Sequence, residues 1–241
     1  MAVGDLEFSA AAQPVDGGQA ELFARLAVEL HESGGVTETV QAVVEFALSA
    51  LSCSHAGVAL CVHGKPEVPA STDPLVAEIY EWQTERRIGP LIEAMGEHRA
   101  LLIRDTATAG RWPEWSAKVL SLGVRSVLDM PLTTATGTVG VLCLYHVQPD
   151  AFGLDDEAVA AILARHTSVA VATARREQGM TAAVDARKLV GQAMGILMER
   201  YDVDADRGFA ILKRYSQDSN TKLRDVAQRL ITTRSLPGWR A

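Results

Sequence analysis

Eight polar side chains near the end of this 241-residue chain carry the chemistry its sequence offers most directly. Lys188, Lys213, Arg214, Lys222 and Arg224 are cations, and Gln192, Gln217 and Asn220 are amides. Cations neutralise phosphates, and amides can bond base edges bidentately. Gly195, on the same segment as Gln192, would let a backbone or a base approach closely. The charge is distributed to match. Residues 1–183 carry 12 Lys+Arg against 23 Asp+Glu, a net −11, whereas residues 184–241 carry 11 against 7, a net +4, which together give −7. The acidic part is a poor polyanion binder, and the basic part could be one. A solvated helical face with Asn220 as an ordinary cap is the competing reading of the same residues.

Other residues invite other chemistry. Cys53 with His55, Cys61 with His63, and Cys143 with His146 resemble metal-ligand pairs. All three cysteines lie in apolar runs, where a free thiol is an ordinary core residue, so no metal is expected. Their odd number and the lack of CxxC spacing suit a reducing compartment. Trp82, Trp112 and Trp115 are candidates to line a small-molecule pocket, with an aromatic core as the alternative. No P-loop, GxSxG, HExxH or paired-acid motif is present, so no catalytic residue and no enzyme activity are expected. The chain reads as cytoplasmic: no apolar run spans a bilayer, and neither a Lys nor an Arg precedes Arg25.

The elements that must position these residues follow from periodicity. Residues 1–18 read as a loose tail. A helix over Gln19–Leu30 stops at Gly34-Gly35, and Thr37 caps a second, whose stripe is Val40, Val43, Val44, Ala47, Leu48 and Leu51. His55–His63 is a buried strand ending at Gly64. Asp73-Pro74 starts a helix carrying Leu75, Ile79 and Trp82. Gly89-Pro90 opens another through Met95. Ala100–Ile103 is a strand, and a helix follows from Arg111 to Leu120. Val124–Leu132 and Thr138–Val147 pair around a turn at Thr136-Gly137. This is an α+β pattern, a largely antiparallel sheet with flanking helices.

No proline lies between Pro149 and Pro237, and residues 155–200 are helical throughout. Alternate steps of three and four from Val159 pass through Ile162, His166, Val169, Thr173, Arg176, Met180, Ala183, Arg187, Val190, Met194 and Leu197. This imperfect heptad seam on a helix of about 70 Å predicts self-pairing, hence a homodimer. A break at Gly179 is the alternative. Two further helices follow. One starts at Asp204 with Phe209, Leu212 and Tyr215 inward. The other is capped by Asn220, with Leu223, Val226, Ala227, Leu230 and Ile231 inward, and Leu236-Pro-Gly ends it.

Ala193-Met-Gly195-Ile-Leu-Met198, Phe209 with Leu212, and Ser216…Asn220-x-Lys222-Leu-Arg-Asp-Val-Ala227 resemble the ANTAR family of RNA-binding antitermination modules. The match covers roughly Ala183–Thr233, and Gly208 departs from the family's usual alanine. Residues 21–173 resemble a GAF sensory domain through Gly89-Pro90, Asp105, Trp112-Pro113, Gly123-Val-Arg-Ser-Val127, Met130-Pro131-Leu132, Gly137, Gly140-Val-Leu142 and Phe152. Related copies often have a cysteine after Gly-Pro, where this chain has Leu91, so redox sensing there is not implied. The resemblance implies a sensory domain over 19–173 and a long connecting helix over 155–200. A three-helix, all-α module would then occupy 183–234 and bind hairpin RNA in nascent transcripts. It also implies an unidentified small-molecule signal, with no cofactor evident and no membrane partner. A ligand-sensing protein-interaction module and a DNA-binding regulator remain alternatives.

Overall fold

The computed structural model describes residues 17–62 and 65–235. Residues 1–16 of the expected tail, the His63–Gly64 strand end and the Leu236-Pro-Gly stop lie outside the described residues, whereas Gly17 and Gly18, read as tail, begin a helix and Cys61 lies in a strand. The chain divides into two units, Met1–Ala174 and Arg175–Ala241.

The first unit is built on a five-stranded antiparallel sheet in the order β2-β1-β5-β4-β3. The strands are β1 (His55–Val62), β2 (Lys65–Ser71), β3 (Leu101–Ile103), β4 (Ser126–Thr134) and β5 (Gly137–His146). Alternation along the strands sorts side chains between two cores. Leu128, Met130, Leu132, Leu142 and Leu144 face a layer shared with α1 (Gly17–Glu32), α2 (Val36–Ala50) and the start of α6 (Leu154–Tyr201). Val127, Val141, Cys143 and Tyr145 face the opposite layer. That layer is shared with α3 (Pro74–Arg86), α4 (Pro90–Glu97) and α5 (Pro113–Ser121). Gly57 lets α3 come close: a Cβ there would sit 2.6 Å from Val76 Cγ1.

Local chemistry sets most helix ends. Asp73 Oδ1 accepts from Leu75 N, and Pro74 opens α3. The stripe of α3 is Val76, Ile79, Tyr80 and Gln83, one position on from the predicted Leu75 and Trp82, which are half-buried. Two caps differ from expectation. Thr37 lies inside α2, whose N-cap is Gly35, and Leu48 on that helix is 40% exposed. Asn220 is not a cap: it adopts a left-handed conformation (φ 48°), and Lys222 occupies the cap position of α8 (Leu223–Thr233). Asn tolerates that conformation because its short side chain bonds locally.

Helix α6 is unbroken through Gly179. Its first part supplies Val159, Ala160, Leu163, Ala164 and Val171 to the first unit. Its last part joins α7 (Ala205–Asp218) and α8 around Ala193, Leu197, Ile211, Leu212, Val226, Ala227 and Leu230. Two sequence expectations change here. Val190, Met194 and Leu197, assigned to the pairing seam, pack within the second unit instead. Phe209, assigned to the core, is 40% exposed, while its neighbour Gly208 is buried beneath Met194 and Met198.

Candidate functional site

All eight polar residues singled out near the C-terminus are exposed, and so is Gly195. They sort into two sets by element. Lys188, Gln192 and Arg224 line one groove of about 500 Å³ between α6 and α8, with Asp185, Leu189, Asp225 and Gln228. Lys213, Arg214 and Gln217 stand on the last turns of α7, and Asn220 and Lys222 lie in the turn leading to α8. Gln228 adds an amide that sequence reasoning missed. Its signal was its place one helical turn beyond Arg224, on the face away from Val226 and Ala227.

Local bonds hold this arrangement. Thr221 N donates to Ser216 O at 3.0 Å, and Ser216 Oγ donates to Thr221 O at 2.6 Å, closing the turn that presents Asn220. No side chain caps the start of α8; Asp225 N and Val226 N donate to the Lys222 carbonyl at 2.8 and 3.1 Å, which leaves the amides of Leu223 and Arg224 open beside Lys222. Asp204 caps α7 by accepting from Arg207 N at 2.8 Å. The groove is balanced in charge, since Asp185 and Asp225 face Lys188 and Arg224. Arg224 Nε lies 3.8 Å from Asp225 Oδ1, and Arg214 Nε lies 3.6 Å from Asp218 Oδ2. Each of these four side chains is more than half exposed, so both pairs are weak and open to exchange for an external anion. Arg200 is engaged differently, donating to the Arg234 carbonyl across the end of α8.

In the first unit all three tryptophans belong to or pack against the layer between the sheet and α3–α5. Trp112 and Trp115 meet edge to face, with centroids 6.0 Å apart, and Trp115 is fully buried. Trp82 instead lies under the Arg86 guanidinium at 4.6 Å. The residues sequence reasoning missed are polar and buried. Asp129 on β4 is fully buried opposite Cys143 on β5, and neither carboxyl oxygen has a hydrogen-bond partner among the described residues. Burial raises its pKa to about 7, and the neighbouring Cys143 thiol acts in the opposite direction. Burial also lifts the thiol of Cys143 and the phenol of Tyr145 well above their ordinary values, and the phenol of Tyr80 to about 12. Cys53 behaves as a core thiol, pushed up to about 11 by burial. Among the described residues no three His, Cys, Asp or Glu side chains group as metal ligands, and no helix is long and apolar enough to cross a membrane.

Fold and site together define a class: an α+β unit followed by a small helical unit with an exposed polar face. The comparisons make it specific. The GAF domain model matches residues 35–171 and the ANTAR domain model matches residues 178–231. The chain belongs to the GAF family and carries an ANTAR domain after it, the architecture of a signal-sensing antitermination regulator. Both are sensory and regulatory domains, and no catalytic family is indicated.

Solved structures agree on the fold. The GAF domain of a phosphoenolpyruvate-protein phosphotransferase from Acinetobacter is 16% identical, with a TM-score of 0.54, over 68% of this chain and 99% of that one. The corresponding domain from Coxiella burnetii is 16% identical, with a TM-score of 0.52, over 66% and 96%. A GAF domain/HD domain protein from Geobacter sulfurreducens is 14% identical, with a TM-score of 0.50, over 61% and 97%. No curated protein matches the chain.

Proposed function

We propose that the protein regulates transcription by binding hairpin RNA in nascent transcripts through α6, α7 and α8, under control of a small-molecule signal received by the first unit. The observation that carries this reading is the groove in which Lys188, Gln192 and Arg224 meet, with the open start of α8 beside it. Cations and helix amides suit phosphate, while Gln192 and Gln228 can bond splayed loop bases. Lys213, Arg214, Gln217, Asn220 and Lys222 extend the contact along the α7–α8 turn, and Gly195 leaves α6 open to close approach. The groove itself is balanced in charge, so its contacts serve selection, while Lys213 and Lys222 beside it supply the salt-dependent attraction to phosphate.

The active form is a homodimer paired through α6. Val169 is 66% exposed, Met180 60% and Val184 63%, and Ile162 is also exposed, a run of apolar residues on or beside the predicted seam. Apolar residues repeating on one face of a long helix are buried most simply by a second copy of it. Pairing is confined to this middle stretch, since Leu197 and its neighbours serve the second unit's own core. Signal binding then acts by changing the pairing of the two copies of α6.

The test is titration of the full chain with a hairpin RNA, the same sequence as an unpaired strand, and a DNA duplex. The hairpin is expected to bind best, with marked weakening as salt rises. The triple variant Lys188→Ala, Gln192→Ala, Arg224→Ala is expected to lose binding while keeping its helicity. Preference for the duplex would favour a DNA-binding regulator. Failure to retain any RNA at low salt would favour a protein partner.

A further inference from the structure

The two edges of the sheet are treated differently. At one edge β2 carries Pro66 and Pro69, which have no amide N–H to offer a further strand. At the other edge β3 contains no proline, and no strand pairs with its outer side among the described residues. A groove of about 390 Å³ is lined by all of β3 but by no residue of its partner β4, which puts it on that open side. One wall is the continuous run of residues 99–105, which contains β3, and the other is the run 108–112 leading into α5. A wall of consecutive residues follows the backbone, so the groove is shaped for an extended chain.

The charge of this edge is opposite to that of the unit around it. Residues 86–125 carry 7 Lys+Arg against 4 Asp+Glu, a net +3, whereas the rest of residues 1–183 carries 5 against 19, a net −14. The groove is lined by three guanidiniums, Arg99, Arg104 and Arg111, and by one carboxylate, Asp105, which Arg125 already holds through two bonds of 2.9 and 3.0 Å. Arg99 and Arg111 are drawn together by one atom: Glu93 Oε1 accepts from Arg99 Nη2 at 2.7 Å and lies 2.6 Å from Arg111 Nη2. Arg99 Nε also donates to Glu97 at 2.5 Å. Each guanidinium has five N–H donors, so these bonds orient the two side chains without exhausting them. Arg104 Nη1 lies 3.7 Å from Asp150 Oδ1, an exposed pair open to exchange.

We propose that the free edge of β3 receives an acidic, extended segment of a partner protein as a further strand, with carboxylates of that segment on Arg99, Arg104 and Arg111. Main-chain bonds to the edge supply affinity, and the guanidiniums supply the selection for acids. The strongly acidic remainder of the unit repels such a segment, which steers it to this basic stretch. Pairing ends at Ile103, because the Arg104 carbonyl already accepts from Asp150 N at 2.7 Å. The proposal concerns the first unit alone and does not depend on the RNA reading.

The experiment uses the full chain and a capped, fluorescent peptide of alternating glutamate and valine, about ten residues long, followed by anisotropy. One control carries lysine in place of glutamate, and the other carries proline in place of the two central valines. The glutamate peptide is expected to bind saturably, and each control at least tenfold more weakly. Hydrogen exchange within residues 99–105 is expected to slow when it binds. The double variant Arg104→Glu, Arg111→Glu is expected to weaken it at least tenfold with the far-ultraviolet spectrum unchanged. If that variant does not fold, Arg104→Glu alone carries the test, with a loss of at least threefold. No saturable binding, equal binding of either control, slowing confined to other residues, or undiminished binding by the variants overturns the proposal. So does a wild-type chain whose self-association is lost in the double variant, since the edge would then belong to a second copy.

Discussion

The two units treat polar side chains in opposite ways. In the second, Lys188, Gln192, Lys213, Arg214, Gln217, Lys222 and Arg224 stand in solvent around a tight apolar core. In the first, both Asp129 carboxyl oxygens, Gln83 Nε2, Tyr80 Oη and Trp115 Nε1 are buried with no hydrogen-bond partner among the described residues. Exposed groups keep their hydration until a partner arrives and cost little while waiting. Buried unpaired groups cost stability continuously, and they are tolerable where a ligand recovers the cost. The contrast separates an exposed polar face, which the proposed function assigns to RNA, from an enclosed layer whose polar groups are cut off from solvent.

The largest way to break this contrast is at the exposed face. The triple variant Lys188→Ala, Gln192→Ala, Arg224→Ala should weaken hairpin RNA binding by roughly a hundredfold or more, at about 1–3 kcal/mol for each base-reading side chain removed. Its thermal melting should be unchanged, because none of the three is in a core. The opposite perturbation is Leu212→Ala. Leu212 is fully buried in the second unit, and its truncation should cost roughly 2–5 kcal/mol, read as the urea midpoint of that unit. RNA binding would then fail through unfolding, while the near-ultraviolet signal of the first unit persists.

Asp129→Asn sharpens the other side of the comparison. Burial raises the Asp129 carboxyl from 3.8 to about 7, so the folded chain keeps a proton that the unfolded chain has released. The stability this group contributes is therefore complete below about pH 4 and is lost as the pH rises through about 7. Wild type should lose stability across that window and the Asn variant should lose less. Above it the variant should be the more stable by about 1–3 kcal/mol, as measured by urea denaturation at each pH. The smallest expected effect is at Gly208. A Cβ there meets Met194 O and Met198 Cγ at 3.6 Å, an ordinary van der Waals separation, so Gly208→Ala should stabilise α7 by about 0.5–1 kcal/mol without altering RNA affinity.

Strand alternation and proline spacing made the sheet legible in the sequence, down to the β4–β5 turn at Gly137. The exposed face was legible because its side chains lie opposite a clear helical stripe. Three features were not. Phe209 is aromatic yet exposed, because the second unit's core accepts α7 through Gly208, Ile211 and Leu212, and a stripe counted from the aromatic is rotated. The seam at Val190–Leu197 looked continuous with the stretch around Val169, but periodicity does not say which partner buries a stripe. Asp129 sits in an apolar run, Ser126–Leu132, where one acid among strand residues reads as an interruption. Only the register that places it opposite Cys143, beneath α4, marks it as a buried group lacking a partner.

The most direct measurement is ultraviolet crosslinking of the full chain to hairpin RNA, with the linked peptides identified by mass spectrometry. Crosslinks should map to residues 185–195 of α6 and to the 213–228 stretch of α7, α8 and their turn. Crosslinks confined to the first unit, or a pattern unchanged in the Lys188→Ala, Gln192→Ala, Arg224→Ala variant, would contradict an RNA-reading face built from these helices.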